Sequence, residues 1–130
     1  LADSMETALA EVRHHQELYW SGVVGLNFER FVFRGLSCQF DEAGLLDATT
    51  VALTDPIYDP SDYSAARQFG RQLRQDGFAG LRYRSVRKPG QHCWALMTPR
   101  NVLSIVQTAH YEMIWNAGIT SVSAIGEVSP

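Results

Sequence analysis

Long apolar runs are missing from this chain of 130 residues. Nothing in it approaches the ~20 consecutive apolar residues that a membrane-spanning helix needs. Cysteine is scarce: Cys38 and Cys93 are the only two, both inside apolar segments and without the close spacing of metal ligands. That pattern predicts two reduced, buried thiols in a cytosolic protein rather than a disulfide or a zinc site. Excess positive charge is missing too, and a net charge of −3 gives no electrostatic case for binding nucleic acid. No glycine-rich loop leads from a strand into a helix, so neither phosphate-binding fingerprint applies. There is no HExxH, and no Gly-x-Ser-x-Gly elbow surrounds Ser85. His14 and His15 are adjacent; on a helix they diverge by about 100° and cannot share one metal, so they read as a surface pair. His92 and Cys93 are neighbours in a strand pattern and face opposite sides, which excludes them as a Cys–His nucleophile pair.

What the chain does have is apolar residue in quantity. At 45% hydrophobic, it is long enough to bury one real core, and a single domain spanning 1–130 is expected. The spacing predicts a first helix over residues 4 to 19, capped by Asp3 or Ser4, with Glu6 three positions after Asp3 as in a capping box. Met5, Ala8, Leu9 and Val12 form its buried stripe, and Glu11 lies at the margin of that stripe, beside Ala8 and His15. Alternation from Phe28, with Phe31 and Phe33 on one face, predicts a strand that continues past a bend at Gly35 to Phe40. Residues 45 to 53 carry no clear period. Asp59-Pro60 predicts the start of a second helix, with Ala66, Phe69, Gly70 and Leu73 on its apolar face and Gly77 at its end. A strand at 79 to 85 and another at 92 to 97 flank Lys88-Pro89-Gly90 and read as a hairpin. Val102–Gln107 and Tyr111–Trp115 read as two more short strands, and 121 to 130 as a small, polar tail. Two main helices with about five strands, not regularly alternating, predict an α+β fold with a mixed or antiparallel sheet.

The chemistry left after these exclusions is sparse. Glu11 sits at the edge of the first helix, and Ser85 ends an arginine-rich strand in which Leu81, Tyr83 and Ser85 share a face opposite Arg82 and Arg84. Taken alone, Glu11 is more often a solvated helix carboxylate, Ser85 a turn residue, Tyr83 as readily a core aromatic as a pocket wall, and Arg82, Arg84 and Arg87 a solvated face.

Two stretches change that balance. LADSMETALAEVRHH at the start, and DPSDYSAARQFGRQLRQDGFAGLRYRSVRKPGQHCWALMTP over residues 59 to 99, resemble the RES-domain family, named for its Arg, Glu and Ser. Glu11 matches the family's Glu and Ser85, in YRSVR, its Ser. The resemblance implies a fold like that of the diphtheria-toxin-type ADP-ribosyltransferases. It also implies a cytoplasmic toxin that consumes NAD⁺ as substrate, with no cofactor, and a partner antitoxin of the Xre type. Glu11 would stabilise the oxocarbenium character that builds up as nicotinamide leaves, Ser85 would orient the ribose or the amide, and Tyr83 would line the pocket. Water, phosphate or a protein side chain as acceptor would make the activity a glycohydrolase, a phosphorylase or an ADP-ribosyltransferase. The family's Arg lies upstream of the Glu helix, and none of the ten arginines here matches it, so the expectation is a chain cut from a longer product. Two readings from other classes stand beside this one: a nucleotide-binding module without turnover, and an interaction protein in which Glu11 and Ser85 lie apart. Trp20 and Trp115 are candidate contacts for the antitoxin that the resemblance implies, or ordinary core residues.

Overall fold

The computed structural model describes residues 1–127. Its elements run α1 (Met5–Ser21), β1 (Phe28–Phe40), β2 (Leu45–Asp47), α2 (Ser64–Gln75), β3 (Gly80–Arg84), β4 (His92–Leu96), β5 (Val102–Asn116) and β6 (Ile119–Glu127), with single 3-10 turns at Pro56–Tyr58 and Pro99–Asn101. The fold is α+β, as expected, but its strands divide into two sheets of three. One is antiparallel, in the order β1-β5-β6; the other is mixed, in the order β2-β3-β4, with β2 parallel to β3. Among the described residues no helix is long and apolar enough to cross a membrane.

β5 is one strand of 15 residues where the alternation suggests two. The pattern loses phase because the β1–β5 register shifts between Arg34 and Leu36, a bulge that swaps which side chains face inward. Gly35 sits in that bulge, and a Cβ there would lie 2.5 Å from the Ala109 carbonyl oxygen. β6 occupies most of the segment read as a polar tail. It is an edge strand that turns Ile119 and Val122 to the core and its serines to solvent, so it shows little apolar character. Residues 128–130 of that tail lie outside the described residues.

The start of α1 agrees with its sequence signal, and the start of α2 does not. Ser4, not Asp3, caps α1, accepting the Thr7 N–H at 3.1 Å. The Asp3 carboxylate instead accepts the His92 N–H at 2.8 Å, and Glu6 pairs with Lys88. Those two acids therefore fasten the start of α1 to the segment that follows β3. α2 begins four residues later than Asp59-Pro60 suggests. The Asp59 carboxylate takes the N–H groups of Ser61 and Asp62, as a cap would, but the chain turns again and Asp62 accepts from the Ser64 N–H before the helix starts. β2 resolves part of the unassigned 45–53 segment: three residues pair with β3, and the Ala48 N–H extends the contact to the Arg82 carbonyl.

The main core lies between α1 and the β1-β5-β6 sheet. Trp20 stacks on Phe31 with ring centroids 3.7 Å apart and meets Trp115 edge-on at 5.9 Å. Met113 and Ile119 complete the cluster, and Leu9, Val12 and Phe33 pack against it. Both tryptophans are thus buried (6% and 5% exposed) and are not contact residues for a partner. α1 has a second buried side, which the single apolar stripe does not reveal. Thr7 is fully buried and Glu11 half-buried. Glu11 and Trp20 are nine positions apart, which at ~100° per residue places them on opposite sides of the helix. One side faces the antiparallel sheet, the other the β2-β3-β4 sheet. Residues 1–3 run beside β4, with Ala2 bridged to Cys93.

Candidate active site

β3 alternates as the sequence predicts, and its Leu81 and Tyr83 side chains form one wall of a cavity of about 330 Å³. Glu11 and His15 of α1, Ala66 and Phe69 of α2, and Ile57 and Tyr63 of the loop before α2 enclose the rest. Tyr58 fixes that loop to the sheet: its hydroxyl donates to the Ala48 carbonyl at 2.7 Å and accepts the Arg84 N–H at 3.2 Å.

Ser85 follows the last residue of β3 and is 2% exposed. Its Oγ donates to Glu11 Oε1 at 2.6 Å and accepts the Lys88 N–H at 3.1 Å. Residues 74 positions apart are therefore in direct contact. The hydroxyl has one proton, and it is committed to Glu11. Ser85 does not line the cavity; it stands behind Glu11 and fixes the carboxylate that does. Tyr83 is raised by burial and, secondarily, by the neighbouring Cys93 and Glu11 to about 12, so its phenol stays neutral across the physiological range.

The arginines of YRSVR and its strand are not a solvated face. Arg82 Nη2 meets His92 Nδ1 at 2.8 Å and its guanidinium lies 5.7 Å from the Trp94 ring centre. Arg84 Nε donates to the Thr49 carbonyl at 2.6 Å. Arg87 Nη2 donates to the Pro60 carbonyl at 2.5 Å and to the Tyr63 hydroxyl at 3.3 Å. The Tyr63 hydroxyl also meets His14 Nε2 at 3.1 Å, and burial, then Arg87 and His15, hold the His14 pKa below its ordinary value. His15 is exposed, as a surface pair requires, but also lines the cavity, while His14 is half-buried against Tyr63. Spacing carried a signal for His15, one turn beyond Glu11 on the same face. Nothing local signalled Tyr63.

Both thiols are free, but only Cys93 is buried; Cys38 is half-buried. Burial, then the Glu11 carboxylate, pushes Cys93 up to about 11. The thiolate is the reactive form, so Cys93 is expected to resist iodoacetamide at pH 8 in the native protein and to react once the chain is unfolded in urea. Mass spectrometry of the alkylated peptide checks this, and native-state labelling at Cys93 would contradict it. Among the described residues no group of three His, Cys, Asp or Glu side chains could hold a metal ion.

Compared with known proteins, the chain matches the family model described as RES domain over residues 1–116. No curated protein matches it.

Proposed function

The chain belongs to the RES-domain family, and from that membership and the cavity geometry we propose that it breaks the bond between nicotinamide and ribose in NAD⁺, as the toxin of a toxin–antitoxin pair. The observation that carries the reading is the Ser85–Glu11 hydrogen bond of 2.6 Å, which aims one carboxylate into a mostly apolar cavity. The C–N bond breaks with its electron pair going to the nicotinamide nitrogen, which leaves neutral. Positive charge then develops on the ribose ring. A carboxylate fixed beforehand among apolar walls stabilises that charge at little cost in reorganisation, and Glu11 supplies it. Ser85 is a positioning residue, and Tyr83 lines the pocket as a neutral wall with a polar tip. An acceptor oxygen from water or phosphate then bonds to the anomeric carbon and gives up its proton, leaving ADP-ribose or its phosphate. Transfer to a protein side chain is the alternative for the same cleavage. NAD⁺ is the substrate, no further cofactor enters, and an Xre-type antitoxin is the expected partner.

The test is release of nicotinamide from NAD⁺ by the purified chain, with phosphate and cell extract supplied and the second product identified by mass spectrometry. Release is expected, and the product names the acceptor. A folded protein that releases none under these conditions would overturn the catalytic reading in favour of a binding module.

A further inference from the structure

We propose that Arg87 is an anion subsite at the rim of the Glu11 cavity, taking the phosphate attached to the substrate's ribose. The identity of the ligand rests on the NAD⁺ reading; the anion does not.

Four observations lead there. Arg87 and Glu11 line the same cavity, whose other walls are largely apolar (Leu81, Val86, Phe69 and Met97 among them). A guanidinium has five N–H donors, and both hydrogen bonds of Arg87 leave from Nη2; among the described residues neither Nε nor Nη1 has a protein acceptor. No carboxylate neutralises it. The ion pairs among the described residues are Arg30–Glu112 and Lys88–Glu6, Glu11 is bonded to Ser85, and Asp59, which also lines the cavity, accepts from Ser61 and Asp62. Finally, Pro60 and Tyr63 hold the group in place before any ligand arrives, and a prepositioned fork loses little entropy on binding.

Of the other cations near the site, Lys88 pairs with Glu6, and Arg84, which also touches the cavity, starts from the face of β3 opposite Tyr83 and gives its Nε to the Thr49 carbonyl. The first turn of α2, which follows Tyr63, has no acid to oppose an incoming anion. The cavity thus offers the Glu11 carboxylate and the Arg87 guanidinium, while the Asp59 carboxylate is turned to the Ser61 and Asp62 N–H groups. Those two charges complement a cationic ring and a phosphate linked through a ribose. At about 330 Å³, the cavity is at the small end of the ~300–1,000 Å³ range of ligand pockets. That is room for about one half of a dinucleotide, here the nicotinamide half.

Nicotinamide mononucleotide and nicotinamide riboside differ by that phosphate, and calorimetric titration of both into wild type and Arg87→Gln tests the subsite. The expected result is that Arg87→Gln weakens the mononucleotide about 10- to 100-fold, the worth of one or two charge-assisted hydrogen bonds, and leaves the riboside unchanged. Equal loss of both ligands would make Arg87 a structural residue and overturn the proposal, as would an unchanged affinity for the mononucleotide. Should wild type bind neither nicotinamide compound, inorganic pyrophosphate separates the two claims. Binding that Arg87→Gln abolishes keeps the anion subsite while the NAD⁺ reading fails; no pyrophosphate binding by wild type sinks the subsite. If Arg87→Gln does not fold, Arg87→Lys carries the same comparison. A point charge without the fork should weaken the mononucleotide selectively, and unchanged mononucleotide affinity overturns the proposal.

Discussion

Glu11→Gln should lower nicotinamide release to about one-hundredth of wild type or less, the loss typical when one preorganised electrostatic stabiliser is removed. The substitution keeps the shape of the side chain and an oxygen that can still accept from Ser85 Oγ, now 2.6 Å from Glu11 Oε1. It removes the charge and little else, so the melting temperature should hardly move. Ser85→Ala separates orientation from charge. The carboxylate stays but loses its tether, and the Lys88 N–H loses its acceptor. About a tenfold fall in kcat is expected there, as for one lost charge-assisted hydrogen bond, with the KM for NAD⁺ nearly unchanged, since Ser85 does not line the cavity. Wild-type turnover in a folded Glu11→Gln protein would remove Glu11 from the chemistry.

Gly80→Ala is expected to have the largest effect on stability. A Cβ at position 80 would stand 2.0 Å from the Ala95 carbonyl oxygen and 2.9 Å from Leu45 Cδ2. Gly80 opens the central strand of its sheet, paired to Leu45 of β2 on one side and Leu96 of β4 on the other. Neither neighbour can withdraw without breaking its ladder. Its φ of +156° adds backbone strain for any other residue. Overpacking and strain each cost about 1–3 kcal/mol, so a loss of about 3 kcal/mol or more is expected in urea unfolding. Near-native stability would show that β3 does not run through its sheet at this register. Because Tyr83 and Ser85 follow on the same strand, even a folded variant should lose activity.

Some of this was visible in the residues themselves. The 80–97 hairpin shows its alternation, its Lys88-Pro89-Gly90 turn and the arginines on one face of its first strand, and it is formed by local pairing. The approach of Glu11 to Ser85 was not visible that way. It depends on how α1 lies across the second sheet, and only the resemblance of two distant stretches to one family put those residues together. The second buried side of α1 is hidden because Thr7 and Glu11 are polar, and periodicity counts only apolar residues. β6 is hidden because an edge strand with one wet face needs few apolar residues. Arg87 read as surface charge because its acceptors, Pro60 and Tyr63, belong to a loop some 25 positions away, and no local pattern records such a bond.

α1 carries Glu11 on one side and Trp20 on the other, nine residues or ~13 Å farther along its axis. The tryptophan is wedged among Phe31, Met113 and Trp115, and the glutamate reaches the end of β3. A helix of this length behaves as a stiff rod, so the antiparallel sheet acts as its mount and the Glu11 carboxylate as its tip. Loosening the mount, for example by Trp20→Ala, displaces the tip without touching the pocket. Good alignment of the carboxylate is then a property of a tryptophan cluster that does not line the cavity.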